Sequence, residues 1–213
     1  MGQSKNGPFS GHTGRTGGLV GSRKNGKWIL AVVKATAPKP PTVLQQYQQI
    51  KLGMITQWLS SIDSFIRLGF AAYDSEMSAW NAAVKYNLLH AVGGVGPAFN
   101  IVYADALLSR GSLDGAELGE VSAVTAGELE FSWSANVGEY NGHATDKAVL
   151  LVYNPMEGKF VMVKGAVTRA TLSYTMLLPS AFSGDTVHAY MAFVSADGKG
   201  VSTSDYLGSA IVL

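Results

Sequence analysis

Thr186-Val187-His188-Ala189-Tyr190-Met191-Ala192-Phe193-Val194 joins β-branched and aromatic side chains without a glycine or proline, which is typical of a strand. It is one of seven such runs, the others covering residues 99–108, 129–133, 148–153, 160–163, 170–177 and 202–212. Turns rich in Gly, Asn, Asp and Pro separate them. Seven short strands of this kind predict an antiparallel β-sandwich of immunoglobulin-like or fibronectin type III-like architecture.

Helical spacing precedes these strands. Apolar residues recur at helical intervals from Val43 to Ile66, and a second helix is predicted to begin near Asp74 and Ser75. Gly93-Gly94-Val95-Gly96-Pro97 ends it, since glycine and proline interrupt helices. We therefore expect a helical hairpin.

The first 26 residues contain eight glycines, and ordering so much glycine backbone is entropically costly. This segment is expected to order only in a groove or along a sheet edge. Asn25-Gly26 lies between two apolar runs, residues 19–22 and 27–34. Such a dipeptide supplies the positive φ values of a two-residue β-hairpin turn.

These elements predict an α+β fold with three segments. Residues 1–37 are a glycine-rich basic arm with a β-hairpin, residues 38–97 the helical hairpin, and residues 98–213 the seven-stranded sandwich. Pro38-Lys39-Pro40-Pro41 is the extended linker at the first boundary.

Charge is distributed unevenly along the 213 residues, although the net charge is only +1. The first 62 residues contain no acidic residue and eight basic ones: Lys5, Arg15, Arg23, Lys24, Lys27, Lys34, Lys39 and Lys51. The rest of the chain holds the other eight basic residues and all 15 acidic ones, a balance of −7. Such asymmetry indicates an arm that binds a negative surface.

We expect that surface to belong to this protein, most simply to another copy of it. The predicted basic side of the contact is Lys5, Arg15, Arg23, Lys24, Lys27 and Trp28. The predicted acidic side is Asp114, Glu117 and Glu120, taken as a run in a connection, with Glu128 and Glu130 on one face of a strand. A nucleic-acid partner is disfavoured, because few aromatic residues interleave with these cations. A merely solvated basic surface is the simpler alternative.

Catalytic chemistry finds little support in the sequence. The chain has no cysteine, and its four histidines are far apart. Gly21-Ser22-Arg23-Lys24-Asn25-Gly26-Lys27 fits the phosphate-loop spacing, but Trp28 follows where Ser or Thr should bind magnesium. No catalytic, cofactor-binding or metal-binding residue is predicted, no cofactor is expected, and the chain is not expected to be an enzyme.

Several motifs are similar to those of an uncharacterised family of Bacteroidota proteins. They include Lys5-Asn6-Gly7-Pro8-Phe9, Met77-Ser78-Ala79-Trp80-Asn81, Leu150-Leu151-Val152-Tyr153-Asn154-Pro155 and Phe182-Ser183-Gly184-Asp185-Thr186-Val187-His188. The resemblance covers nearly the whole chain. It implies a shared architecture, and it implies no catalytic residues because the family has no assigned activity.

The sequence therefore predicts a non-enzymatic structural protein that self-assembles into a filament, ring or particle through its basic arm. The alternative is a surface or virion-associated module that recognises glycan or protein through sandwich loops, with Trp58, Trp80 and Tyr140 as aromatic platforms. No apolar run is long enough for a membrane-spanning helix, and no secretory signal is recognised. We expect synthesis in the cytoplasm, with non-classical export and incorporation into a particle both left open.

Overall fold

The protein divides into two compact units, Met1–Thr42 and Val43–Leu213. The structure, a computed structural model, describes residues 11–24, 26–33, 40–73, 76–137 and 141–213. The prediction of three segments placed a further boundary near residue 97, and that division stays a prediction.

The first unit contains a three-stranded antiparallel sheet in the order β1-β2-β3, formed by β1 (Gly14–Thr16), β2 (Leu19–Lys24) and β3 (Lys27–Val32). The predicted hairpin is confirmed, since Lys24 pairs with Lys27 and Arg23 with Trp28. At its turn, Gly26 has a φ of +78°, a left-handed conformation that glycine adopts readily. Asn25 lies outside the described residues.

Three helices begin the second unit: α1 (Val43–Ser60), α2 (Asp63–Gly69) and α3 (Ala79–His90). The single long helix predicted over 43–66 is therefore two helices, separated at residues 61–62. The side chain of Ser78 caps α3 by accepting a hydrogen bond from the Asn81 backbone N–H at 3.3 Å. Asp74 and Ser75, the predicted start of the second helix, lie outside the described residues.

A small hairpin follows α3, and it corrects one predicted strand. β4 (Val92–Val95) pairs with β5 (Ala98–Ile101), and Tyr103–Asp105 then forms a 3₁₀ turn. The run at 99–108 is therefore not a sandwich strand. Its alternating pattern is satisfied locally, because the glycine-rich segment that ends α3 turns back to pair with it.

Seven later strands form the sandwich. They are β6 (Glu117–Thr125), β7 (Glu128–Ser134), β8 (Lys147–Asn154), β9 (Lys159–Thr168), β10 (Ser173–Leu177), β11 (Thr186–Val194) and β12 (Asp205–Ile211). One sheet has the order β10-β7-β6 and the other β12-β11-β8-β9, with all pairs antiparallel. This three-plus-four arrangement is a fibronectin type III-like sandwich, so the predicted α+β class is confirmed. Its first strand, β6, contains Glu117 and Glu120, which the sequence analysis assigned to a connection.

The four-stranded sheet is the central layer of the second unit. On one face, residues such as Leu151 and Tyr190 form a core with helix residues that include Ile55 and Phe65. On the other face, residues such as Leu150 form a second core with β7 residues that include Phe131. Consequently β8 is buried at every position after Lys147, as expected for a strand that is covered on both faces.

Candidate functional site

The N-terminal sheet exposes apolar side chains on its outermost strand. Every residue of β3 is exposed, and the exposed fraction reaches 73% at Val32. Trp28, Ile29 and Leu30 are each more than two-fifths exposed. No strand within the described part of the chain pairs with the outer edge of β3.

Strand register collects several of these side chains on one face. Leu19 lies opposite Val32, and Arg23 lies opposite Trp28; opposed residues of an antiparallel pair share a face. Leu30, two residues from Trp28, belongs to the same face. The Arg23 guanidinium lies 5.4 Å from the centre of the Trp28 ring. We call this set, Leu19, Arg23, Trp28, Leu30 and Val32, the arm face.

A glycine brings a further side chain close to β2. A Cβ atom added to Gly21 would overlap both the backbone carbonyl and the imidazole ring of His12. Residue 21 must therefore be glycine for the chain at His12 to lie so close. The Nε2 atom of His12 is buried and has no hydrogen-bond partner among the described residues.

The structure brings the predicted basic residues to this one small sheet, where they are described. Arg15, Arg23 and Lys27 are exposed, and the Arg15 Nε–H donates to the Gly17 carbonyl at 3.2 Å. Lys24 is the register partner of Lys27. Lys5 lies outside the described residues.

Four of the five predicted acidic residues share the outer face of the three-stranded sheet of the sandwich. Glu117 and Glu120 of β6 lie opposite serines of β7, and Glu128 and Glu130 are themselves on β7. Between these positions β7 buries Leu129, Phe131 and Trp133. β6, β7 and β10, in which every residue is described, contain no lysine or arginine. We call the four glutamates the acidic face.

Asp114 lies elsewhere, beside a buried arginine. Its Oδ2 atom accepts a hydrogen bond from the Asn141 backbone N–H at 2.9 Å. Its backbone carbonyl accepts one from Arg169 at 2.7 Å. Asp114 therefore braces a loop and does not extend the acidic face.

Arg169 was not found by sequence reasoning, yet it is fully buried. Its two bonds to Asp146 Oδ2 measure 3.2 and 3.3 Å, and its other three donate to Asn136 Oδ1 and to the carbonyls of Asp114 and Gly115. All five guanidinium N–H groups are thus used. The guanidinium also lies 3.8 Å from the centre of the Phe193 ring.

This arrangement supports the fold at one end of the sandwich. Burial lowers the pKa of Arg169 from its ordinary value, and the nearby Asp146 carboxylate opposes that shift. The arginine connects three loops to one buried carboxylate. No pattern around residue 169 announces this role, because its partners are 23 to 55 positions away.

A second feature is a cleft of about 390 Å³ between α1, the β4–β5 hairpin and the β8–β9 turn, which we call the aromatic cleft. Its lining residues are Met54, Gln57, Trp58, Ile101, Tyr153 and Gly158. Trp58 is 4% exposed, and its ring packs edge-on against Tyr153 with 5.9 Å between centroids. The indole Nε1 of Trp58 is buried and has no acceptor among the described residues.

Behind the cleft the phenol groups remain uncharged. The hydroxyls of Tyr103 and Tyr153 are hydrogen-bonded to each other. Burial raises the pKa of Tyr103 to about 12, and it also raises the pKa of Tyr153. Tyr190 donates its hydroxyl proton to the Tyr103 carbonyl at 2.8 Å, which fixes the 3₁₀ turn on the sheet.

The other aromatic residues that the sequence analysis considered are differently placed. Trp80 packs partly buried against the helix-side core, and Tyr140 lies outside the described residues. His188 Nδ1 lies 2.8 Å from the Tyr206 hydroxyl, and its ring stacks on Tyr103 with 4.0 Å between centroids. Trp58 is thus the one predicted platform that lines a cleft, at a helix and not at a sandwich loop.

Within the described residues, no group of three or more His, Asp or Glu side chains is arranged to hold a metal ion. Among the described helices, none is both long and apolar enough to cross a lipid bilayer.

Comparisons with known proteins give a family and a fold neighbour. Residues 11–208 match a family described as "Family of unknown function (DUF6266)". No protein of curated function matches the chain. Among solved structures, the fibronectin type III domain of the human collagen alpha-1(XX) chain is similar to 47% of this chain and is covered over 87% of its own length. The identity is 16% and the TM-score 0.35.

Proposed function

The chain belongs to a family of unknown function, DUF6266, and from its own surfaces we propose that it is a non-enzymatic structural protein that self-assembles. In this proposal the N-terminal sheet of one copy binds the acidic face of the next copy. A contact between two different surfaces is heterologous, and repeating it closes a ring or extends a filament.

The exposure of the entire β3 strand is the observation that carries the proposal. An isolated three-stranded sheet needs an apolar face covered by something else to be stable. Here Trp28, Leu30 and Val32 have exposed fractions of 43%, 44% and 73%. An apolar edge strand with unpaired backbone groups is also a ready template for another chain. A protein partner would cover both features at once.

Charge favours a second copy as that partner. Arg15, Arg23 and Lys27 are exposed on the N-terminal sheet, and the first 62 residues hold no carboxylate to neutralise them. The acidic face has four glutamates and no cation on its three strands. Complementary charges of this kind orient two surfaces and speed their encounter.

The geometry of the sandwich offers an edge beside those glutamates. β6 is the outer strand of its sheet, and it exposes Leu118 and Val124 at 75% and 54%. An incoming β3 strand would find apolar contacts and backbone groups there, with Glu117 and Glu120 on the same strand. We therefore place the contact along β6.

Self-association is tested by light scattering and sedimentation of the full chain at low salt. We expect large particles that become smaller as salt is added, because salt screens exposed charges. The double variant Trp28→Ser, Leu30→Ser should weaken association at least about 10-fold, since buried aromatic anchors dominate interface energy. The control Leu89→Ser changes a residue that is 69% exposed on α3 and should behave as the wild type.

Charge reversal identifies the partner surface. Glu120→Lys with Glu130→Lys should prevent assembly, and so should Arg23→Glu with Lys27→Glu. An equimolar mixture of the two double variants should recover association, because opposite charges face each other again. Asp105→Lys, at an exposed site in the 3₁₀ turn, is the control. A wild-type chain that stays monomeric at high concentration and low salt would overturn the proposal.

A further inference from the structure

The aromatic cleft is separate from the surfaces used in the proposed assembly, because its lining comes from α1, β5, β8 and the β8–β9 turn. Its volume of about 390 Å³ falls in the range of small-molecule sites, roughly 300–1,000 Å³. Such sites combine an apolar wall with a few polar groups. Here Met54, Ile101 and Trp58 supply the first, while Gln57 and Tyr153 supply the second.

An unused donor marks one wall. The Trp58 indole can only donate a hydrogen bond, and its Nε1–H has no acceptor among the residues described. A buried donor without an acceptor costs about 1–3 kcal/mol. Buried indoles usually find a partner for this group. A ligand oxygen seated against Trp58 would supply that acceptor.

The lining also defines the charge of what it accepts. None of the six lining residues is an acid, a lysine, an arginine or a histidine. The phenol of Tyr153 stays protonated at neutral pH because burial raises its pKa. A charged ligand would therefore lose its hydration without gaining an opposite charge, and a neutral ligand is favoured.

The polar groups favour hydroxyls on that ligand. The Gln57 amide and the Tyr153 hydroxyl can each donate and accept, whereas the Trp58 N–H only donates. A sugar hydroxyl does both, and the C–H face of a sugar ring is apolar enough to lie against aromatic and aliphatic side chains. We propose that the aromatic cleft binds one neutral sugar ring.

Saturation-transfer difference NMR on the full chain tests this, because the method reads ligand signals and works with large assemblies. The probes are the methyl glycosides of glucose, galactose, mannose and N-acetylglucosamine. We expect saturable transfer to at least one of them. No transfer to any of the four would overturn the proposal.

Three variants assign the signal to the cleft. Met54→Trp fills the cavity and should reduce affinity at least about 10-fold. Trp58→Phe removes the donor but keeps an aromatic ring, and it should weaken binding about 2- to 10-fold, as the loss of one neutral hydrogen bond does. Gln57→Ala, at an exposed helix position, should weaken it similarly without disturbing the core.

Matched controls separate the cleft from adventitious contacts. Met156→Trp adds the same bulk at a turn residue that is 79% exposed, and Gln49→Ala changes an exposed glutamine on another turn of α1. Both should bind as the wild type, and all variants should keep its melting temperature. Equal transfer from Met54→Trp and the wild type would contradict the proposal, whatever the state of assembly.

Discussion

Two strands of this protein have almost the same sequence character and opposite environments. β3 reads Lys27-Trp28-Ile29-Leu30-Ala31-Val32, and β8 begins Lys147-Ala148-Val149-Leu150-Leu151-Val152. Each opens with a lysine and continues with apolar residues that project to both faces. Every residue of β3 is exposed, whereas β8 is buried throughout after its lysine.

The difference lies in what covers each strand. β8 lies between β11 and β9, with helices on one face and the three-stranded sheet on the other. β3 has β2 on one edge and no second layer among the described residues. Apolar side chains on both faces require cover on both faces. In β8 the chain provides that cover itself, and for β3 we propose a neighbouring copy.

The largest expected effect tests how the covered region is held together. Arg169→Met should lower the free energy of unfolding by about 3–5 kcal/mol, because it leaves Asp146 buried without its cation. Chemical denaturation measures this. The control is Arg67→Met, which breaks the exposed pair with Asp63 on α2 and should change stability little. Equal stability of both variants would show that the buried network does not support the sandwich.

A smaller effect compares the two strands directly. Leu150→Ala should destabilise the second unit by about 2–5 kcal/mol, as buried leucines do. Leu30→Ala should leave that unfolding transition within about 0.5 kcal/mol, since its side chain is exposed. Its effect should appear instead in self-association, measured by sedimentation. A large loss of stability from Leu30→Ala would mean that β3 is already covered within its own chain.

The smallest expected effect is a pH dependence within the covered region. Burial lowers the pKa of His188 below its ordinary value of 6.5. The unfolded chain therefore takes up the proton first, so stability is full above pH 6.5 and declines as pH falls through the folded pKa. His188→Phe keeps the ring stacked near Tyr103 and should flatten this decline in acid-denaturation curves.

His90→Phe is the matched control for that measurement. His90 also packs against a tyrosine, Tyr86, with 4.5 Å between ring centroids, but it is exposed at the end of α3. The control should retain the decline of stability below pH 6.5. A profile identical for wild type and His188→Phe would show that another group controls this range.

Strand prediction succeeded where the residues were apolar on at least one face and failed at the sandwich's first strand. Residues 186–194 form β11 as predicted, and residues 148–153 lie within β8. β6 was missed because its sequence, with Glu117, Gly119 and Glu120, is polar at an exposed sheet edge. The apolar alternation at 99–108 was the stronger local pattern, although it belongs to a separate hairpin.

The candidate sites divide in the same way. Uneven charge, the N-terminal hairpin and a non-catalytic composition are properties of neighbouring residues, and they can be recognised in one dimension. Trp58 was singled out as an aromatic residue, but nothing local showed that Tyr153 and Gly158 would meet it to form a cleft.

Composition and periodicity thus account for the class of fold and for the acid-free first 62 residues, since both depend on side chains that are close in sequence. Which apolar strand is buried, which glutamates share a face and where Arg169 finds its five acceptors depend on sheets and loops that meet across long sequence separations. Burial and hydrogen bonding follow distance in space, and folding alone brings those distant residues within reach of one another.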